Sequence, residues 1–326
     1  MSSTPMPSLF VSHGAPTFAI EPGRAGAALG ALGRHLPRPR AVVVISPHWM
    51  TSGPVRVTLA ERPATVHDFG GFPAPLYRLQ YPAPGQPQVA QRVLQLLNAA
   101  GWPAQPDATR GLDHGAWVPL MHLYPQADVP VVQVSQPASL DGPRAHAFGQ
   151  ALAPLVHEDV LVVGSGSLTH NLYDLQPGAT RVAPYVQAFT HWVREAVRAG
   201  DITRVNAAFD EAPGAARAHP TPEHLWPLHV ALGAAPGPLP VTVIDGGVDC
   251  GVIAMESYLF GASLDLEAPL DGPGRQQHRG LHAGCLVSAS LPMCSMTRSV
   301  MARVPTTRQP GSATSAVRQP AAHALT

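Results

Sequence analysis

Five short runs rich in branched apolar residues constrain this chain most: residues 8–12 (SLFVS), 41–46 (AVVVIS), 129–135 (VPVVQVS), 160–164 (VLVVG) and 239–245 (LPVTVID). Several are apolar throughout instead of alternating, as central strands covered on both faces are. Between and around them, helical spacing predicts helices over 24–35, 87–99, 144–155, 185–199 and 222–231. In the fourth, Phe189, Trp192 and Val193 share one side, which leaves Arg194 toward solvent. Strands alternating with helices predict an α/β domain: a central, mostly parallel or mixed sheet flanked by helices.

Three of the apolar runs lead directly into a histidine. SLFV runs into SHGAP and His13, AVVVI into SPHW and His48, and VLVV into GSGSLTHNL and His170. Ligands of α/β sheets gather beyond the carboxyl ends of strands, so three histidines at strand exits point to one shared site. Two further contexts join them, GLDHGAW at His114 and HPTPEHLWPL at His224. Neutral imidazole is a good ligand for Fe(II) or Zn(II), and its proton changes hands near neutral pH. In the last context Pro222 suits an early helical position, with Thr221 as its cap. His219 and His224 are five apart with a proline between, which is not the HExxH pattern of zinc proteases. Only one of the two is expected as a ligand, with His219 in a supporting or exposed place.

Composition narrows the partners. Lys plus Arg equals Asp plus Glu at 21 each, so nothing favours nucleic acid or an anionic membrane. No stretch approaches the roughly 18 apolar residues of a membrane span, and the first residues lack the pattern of a signal peptide. Cys250, Cys285 and Cys294 make neither a disulfide framework nor a zinc–thiolate site. A reducing cytoplasm and a monomer or homodimer are the expectations. GxGxxG and GxxxxGK[ST] are absent, which leaves nucleotide binding without support. GSGSL does not match GxSxG, although Ser165 or Ser167 could contact an anionic substrate from the strand-exit turn.

The segment 59–111 contains HDFGGFPAPLYRLQYPAPG, too dense in Pro and Gly for a long helix there, and reads as an ordered excursion over the sheet edge. Its aromatic loop could wall a substrate ring, with His67, Phe72 and Tyr77 as contacts and Tyr81 as a further candidate. His146, His157, His191 and His229 lie in or beside predicted helices and, with His122, read as structural. After residue 260 the composition turns to Ser, Ala, Pro, Gly and Arg without a period. The expected division is a catalytic domain over 8–261 and a disordered, removable tail over 262–326.

SHGAP, SPHW, HDFGGFPAPLY, YPAPG, LDHGAW, THNL and TPEHLWPL, in that order over residues 8–260, resemble the class III extradiol ring-cleavage dioxygenases, in the DOPA-dioxygenase-type branch of the LigB-like superfamily. The resemblance implies a mononuclear non-haem Fe(II) that Zn(II) can replace, a catecholic substrate, and insertion of both atoms of O2 to give a semialdehyde. It implies His13, His48 and His224 as metal ligands and His114 as a catalytic histidine close to the metal. His170 is implied either as a further ligand or as an acid/base. Where protocatechuate-type relatives use a glutamate ligand, this chain has His224, with Glu223 beside it. Two other readings stay open: a zinc-dependent hydrolase using the same histidines, and a metal-dependent binding protein without turnover.

Overall fold

A computed structural model describes residues 4–266. The tail expectation for 267–326, with its run GCLVSASLPMC, lies outside the described residues. The chain begins with β1 (Ser8–Ser12), α1 (Gly23–His35), β2 (Ala41–Thr51), β3 (Val55–Thr58), α2 (Pro87–Ala99), β4 (Ala104–Asp107) and α3 (His114–Leu123). It continues with β5 (Val131–Pro137), α4 (Gly142–Leu152), β6 (Val160–Gly166), α5 (Pro184–Arg198), α6 (Ile202–Asn206), α7 (Ala208–Glu211) and α8 (Ala215–Ala218). It closes with α9 (Trp226–Ala234), β7 (Val241–Ile244), β8 (Val248–Asp249), β9 (Ile253–Ala254) and β10 (Ser257–Phe260).

Eight strands form one mixed sheet in the order β4-β3-β5-β2-β6-β1-β10-β7. Its centre, β5-β2-β6-β1, is parallel. The flanking contacts of β3 with β5, β10 with β1 and β7 with β10 are antiparallel. Every residue of β1, β5 and β6 is buried, which is why these strands read as continuous apolar runs. Because β2, β6 and β1 are adjacent and parallel, their carboxyl ends meet at one edge of the sheet. Among the described residues no helix is long and apolar enough to cross a membrane.

Several local expectations are corrected. β2 does not end at residue 46. Its pairing with β5 jumps from Ser46–Ser135 to Met50–Gln136, so Pro47, His48 and Trp49 bulge out of the ladder and pairing then resumes. Pro47 has no N–H to donate, and a bulge re-aims the side chains within it. The predicted helix over 222–231 is a 3-10 turn at Pro222–His224 followed by α9. Thr221 makes no cap bond; its hydroxyl donates to the Glu223 carboxylate at 2.9 Å. Arg194 does not face open solvent: it pairs with buried Glu256, which also accepts from the Tyr258 hydroxyl. The packed chain also runs past residue 261. Leu264 donates its amide to Thr242 Oγ1 at 2.9 Å, and Ala262, Leu264 and Leu266 pack on the core.

Candidate metal centre

Five elements bring five imidazoles together. His13 follows β1, His48 stands in the bulge of β2, His114 opens α3, His170 follows β6, and His224 closes the 3-10 turn before α9. The His13 ring centroid is 5.0 Å from that of His48, 5.6 Å from His114 and 5.5 Å from His224. His48 Nε2 is 3.1 Å from His13 Nε2 and 3.4 Å from His224 Nε2. His114 groups with His13 and His48, and His170 with Glu223 and His224, at spacings that could hold an ion.

Glycines let the last histidine reach the sheet. A Cβ on Gly164 would come within 1.9 Å of Pro227 O, and one on Gly166 within 2.2 Å of His224 O. With only hydrogen there, the turn before α9 lies against β6, and Ser167 N–H donates to His224 O at 2.9 Å. The shared site is therefore built from two strand exits, the bulge of β2, the start of α3 and one turn pressed onto β6.

The outward nitrogens are pinned by hydrogen bonds, and this decides where the protons sit. His13 Nδ1 lies 2.9 Å from Ser165 Oγ, and that hydroxyl donates to Gly115 O. Ser165 has one hydroxyl hydrogen, so it must accept from His13 Nδ1–H. Gly115 O is available because Pro119, inside α3, has no N–H for the carbonyl four residues back. His224 Nδ1 faces Glu223 Oε1 at 3.1 Å, and His114 Nδ1 faces Asp68 Oδ2 at 3.0 Å. His48 Nδ1 is 3.8 Å from the same Asp68 oxygen. His13, His114 and His224 thus carry a proton on the outward nitrogen, which in the neutral ring leaves the Nε2 lone pair turned inward.

Charge on the rings is suppressed as well. Burial, then the neighbouring imidazoles, push His13 and His224 well below the usual histidine range. Burial does the same to His48 against the opposing pull of Asp68. His170 falls to about 4, from burial and then His114. Burial raises Asp68, but its hydrogen bonds to His114 and the charges of His114 and His48 outweigh that and bring it down to about 2. Ring nitrogens 3.1 and 3.4 Å apart need a proton or a cation between them. Ligand nitrogens about 2.0–2.1 Å from a divalent ion stand roughly 3.0 Å apart at a right angle and 3.4 Å at a tetrahedral angle. The donor set therefore fits a divalent metal.

The remaining candidates divide. Phe69 meets the cluster, its ring edge-on to His114 at 5.7 Å. His67, Phe72 and Tyr77 surround Phe69 at 5.7, 5.4 and 5.3 Å. His67 Nε2 is engaged with Leu79 O at 3.1 Å, and Tyr81 is buried with its hydroxyl on Tyr124 O. Tyr81 is therefore not placed to touch a substrate. Ser165 and Ser167 are buried and engaged with Gly115 O and Thr169 O, so neither is offered to an anion. His219 is fully buried, with Nε2 on Leu168 O at 2.9 Å, so the exposed place considered for it is excluded. Sequence reasoning gave no role to Asp68, Ser165 as a support for His13, or Gly166. The only sequence signal for Asp68 was its place next to His67 in HDFGGFP.

The family described as the catalytic LigB subunit of aromatic ring-opening dioxygenase matches residues 28–261, a span that holds every histidine of the cluster except His13. A protein named 4,5-DOPA dioxygenase extradiol from Beta vulgaris is 43% identical over 257 residues, 78% of this chain and 96% of that one. A protein of the same name from Escherichia coli is 40% identical over 272 residues, covering 80% and 97%. The solved structure of an uncharacterized Escherichia coli protein superposes with a TM-score of 0.66 at 34% identity, over 78% of this chain and 100% of that one. With the parallel strand exits, the converging imidazoles and these matches together, the chain is a member of the LigB family of aromatic ring-opening dioxygenases, in its DOPA-dioxygenase extradiol branch.

Proposed function

We propose that this chain is a non-haem Fe(II) extradiol dioxygenase that inserts both atoms of O2 into a catechol beside the diol and opens the ring to a semialdehyde. The observation that carries the reading is the convergence of the Nε2 atoms of His13, His48 and His224, with an aromatic wall next to His114. These three are the ligands in this reading. A divalent iron held there supplies Lewis acidity toward a diol and a redox couple for dioxygen chemistry. All-imidazole donors suit that ion, and Zn(II) can occupy the same donors.

The chain's own residues supply the rest. A catechol must shed hydroxyl protons as it binds, and the inward Nε2 of His114 is placed to take one and later return it. The His170 ring makes no hydrogen bond to the described residues, which leaves it able to move a second proton. Phe69, flanked by His67, Phe72 and Tyr77, packs on the face of the substrate ring and excludes water. Holding the ring in place makes reaction with O2 effectively unimolecular. The zinc-hydrolase reading is weaker. Asp68 and Glu223, which face the cluster, each accept from an imidazole and orient it, so neither is held as the carboxylate base that such a hydrolase uses.

The relatives' name makes DOPA the first catechol to try, followed by catecholic acids and simple catechols. Metal-free protein is loaded with Fe(II) without air, then mixed with each catechol and air. Oxygen uptake with a yellow semialdehyde product supports the reading. Absence of uptake with every catechol at full iron loading overturns it.

A further inference from the structure

Asp68 faces two imidazoles of the cluster, His114 and His48. It comes from the loop that also supplies Phe69, and its side chain is only 17% exposed. Oδ1 accepts the backbone N–H of His114 at 2.9 Å, and Oδ2 faces His114 Nδ1 at 3.0 Å. Two bonds to one residue fix both the plane of the carboxylate and the rotation of the imidazole. The same Oδ2 lies 3.8 Å from His48 Nδ1.

We propose that Asp68 is a positioning residue, which holds the proton of His114 on Nδ1 and so keeps the Nε2 lone pair turned toward the substrate as a base. An ionised carboxylate only accepts hydrogen bonds, so the hydrogen between Asp68 and His114 must come from the ring. A neutral imidazole has one N–H, and fixing it on Nδ1 leaves Nε2 without one. The wall and the base are thereby one unit: the loop that places Phe69 against His114 also sets that histidine's tautomer. The consequence for catalysis rests on the dioxygenase reading, whereas the placement of the proton does not.

Asp68→Asn is nearly isosteric and reverses the donor. Its amide oxygen can take the His114 backbone N–H, and its NH2 then faces Nδ1, which drives the ring proton to Nε2. The tautomer is read in metal-free, 15N-labelled protein by long-range nitrogen–proton correlation at the His114 ring, assigned by its loss in His114→Phe. Wild type and Asp68→Glu, which keeps the anion, should show Nδ1–H, and Asp68→Asn should show Nε2–H. In iron-loaded protein, Asp68→Asn should lower kcat by about 10²–10⁴ with KM within about threefold of wild type. Wild type with Nε2–H, or Asp68→Asn with an unchanged tautomer, overturns the proposal whatever happens to kcat. A flipped tautomer with unchanged kcat overturns it too, because His114 would then not be the base. If wild type shows Nδ1–H but turns over no catechol, the functional reading fails and the proton placement stands.

Discussion

His170 and His224 stack face to face, their ring centroids 3.5 Å apart and their planes within 10° of parallel. A lone pair on an imidazole nitrogen lies in the ring plane. Lone pairs of two parallel, stacked rings run side by side, so the His170 ring is poorly aimed at an ion that His224 would hold. His170 is thus expected to act on protons and not on the metal. Iron content measured by mass spectrometry should stay near wild type in His170→Ala while kcat drops by about 10²–10⁴. In His48→Ala iron and turnover should fall together. Loss of iron from the His170 variant to the level of the His48 variant would make it a ligand after all.

Much of this arrangement could be read from the sequence, for a physical reason. Strands buried on both faces must be apolar throughout, so their ends stand out, and His13 and His170 follow them directly. What stayed hidden depends on contacts between distant residues. α3 was not predicted because Gly115 and Pro119 look like helix breakers. In the fold, a Cβ on Gly115 would come within 2.2 Å of Ser46 Oγ, and the carbonyl that Pro119 leaves unbonded takes the Ser165 hydroxyl. Asp68 and His114 meet through the return of the loop after β3, a pairing no local pattern encodes. Strands β3, β4 and β10, outside the parallel centre of the sheet, are four residues each and too short to show a period.

Ser165 offers a test of the outward shell. Replacing it with Ala leaves His13 Nδ1–H and Gly115 O without their shared partner in a buried place. Metal affinity should weaken by about 10- to 100-fold, the usual cost of losing such a support. Stability of the metal-free protein should drop by about 1–3 kcal/mol for the unsatisfied groups. Turnover per bound iron should hold, because Ser165 does not face the substrate. Competition with a chelator measures the first quantity and urea unfolding the second. An unchanged metal affinity would mean that His13 is held by packing alone.

A pH effect on stability is expected from a buried histidine outside the cluster. His229 is fully buried between Leu225 O and Val205 O, and burial, outweighing those two carbonyls, lowers it to about 4. In the unfolded chain the same group binds its proton near pH 6.5. Between about 4 and 6.5 the unfolded state holds more protons, so stability rises with pH there. The contribution is complete above about pH 6.5 and is lost as pH falls toward 4, a change of about 3 kcal/mol. His229→Gln should flatten the plot of unfolding free energy against pH in that window by about 1.4 kcal/mol per unit relative to wild type. Parallel plots for the two proteins would show that His229 takes up its proton in the folded state as readily as in the unfolded one.

Gly166 sits where the His224 turn presses on β6, and its substitution separates geometry from chemistry. An alanine Cβ there would stand 2.2 Å from His224 O, with Pro227 Cγ and Cβ at 3.0 and 3.2 Å behind it. The obstacle is mostly backbone and a rigid ring, so relief requires the turn to move outward, and His224 moves with it. Overpacking of this kind costs about 1–3 kcal/mol of stability. The displaced Nε2 should also lose its 3.4 Å approach to His48 Nε2. Gly166→Ala is therefore expected to bind iron more weakly than wild type by at least the factor seen for Ser165→Ala, although no ligand has been changed. Gly53→Ala is the control, since nothing lies within 4 Å of a Cβ at that position. Iron affinity by chelator competition and unfolding midpoints for the three proteins decide the matter. Wild-type affinity in Gly166→Ala, with its stability lowered, would show that the centre holds the metal without His224.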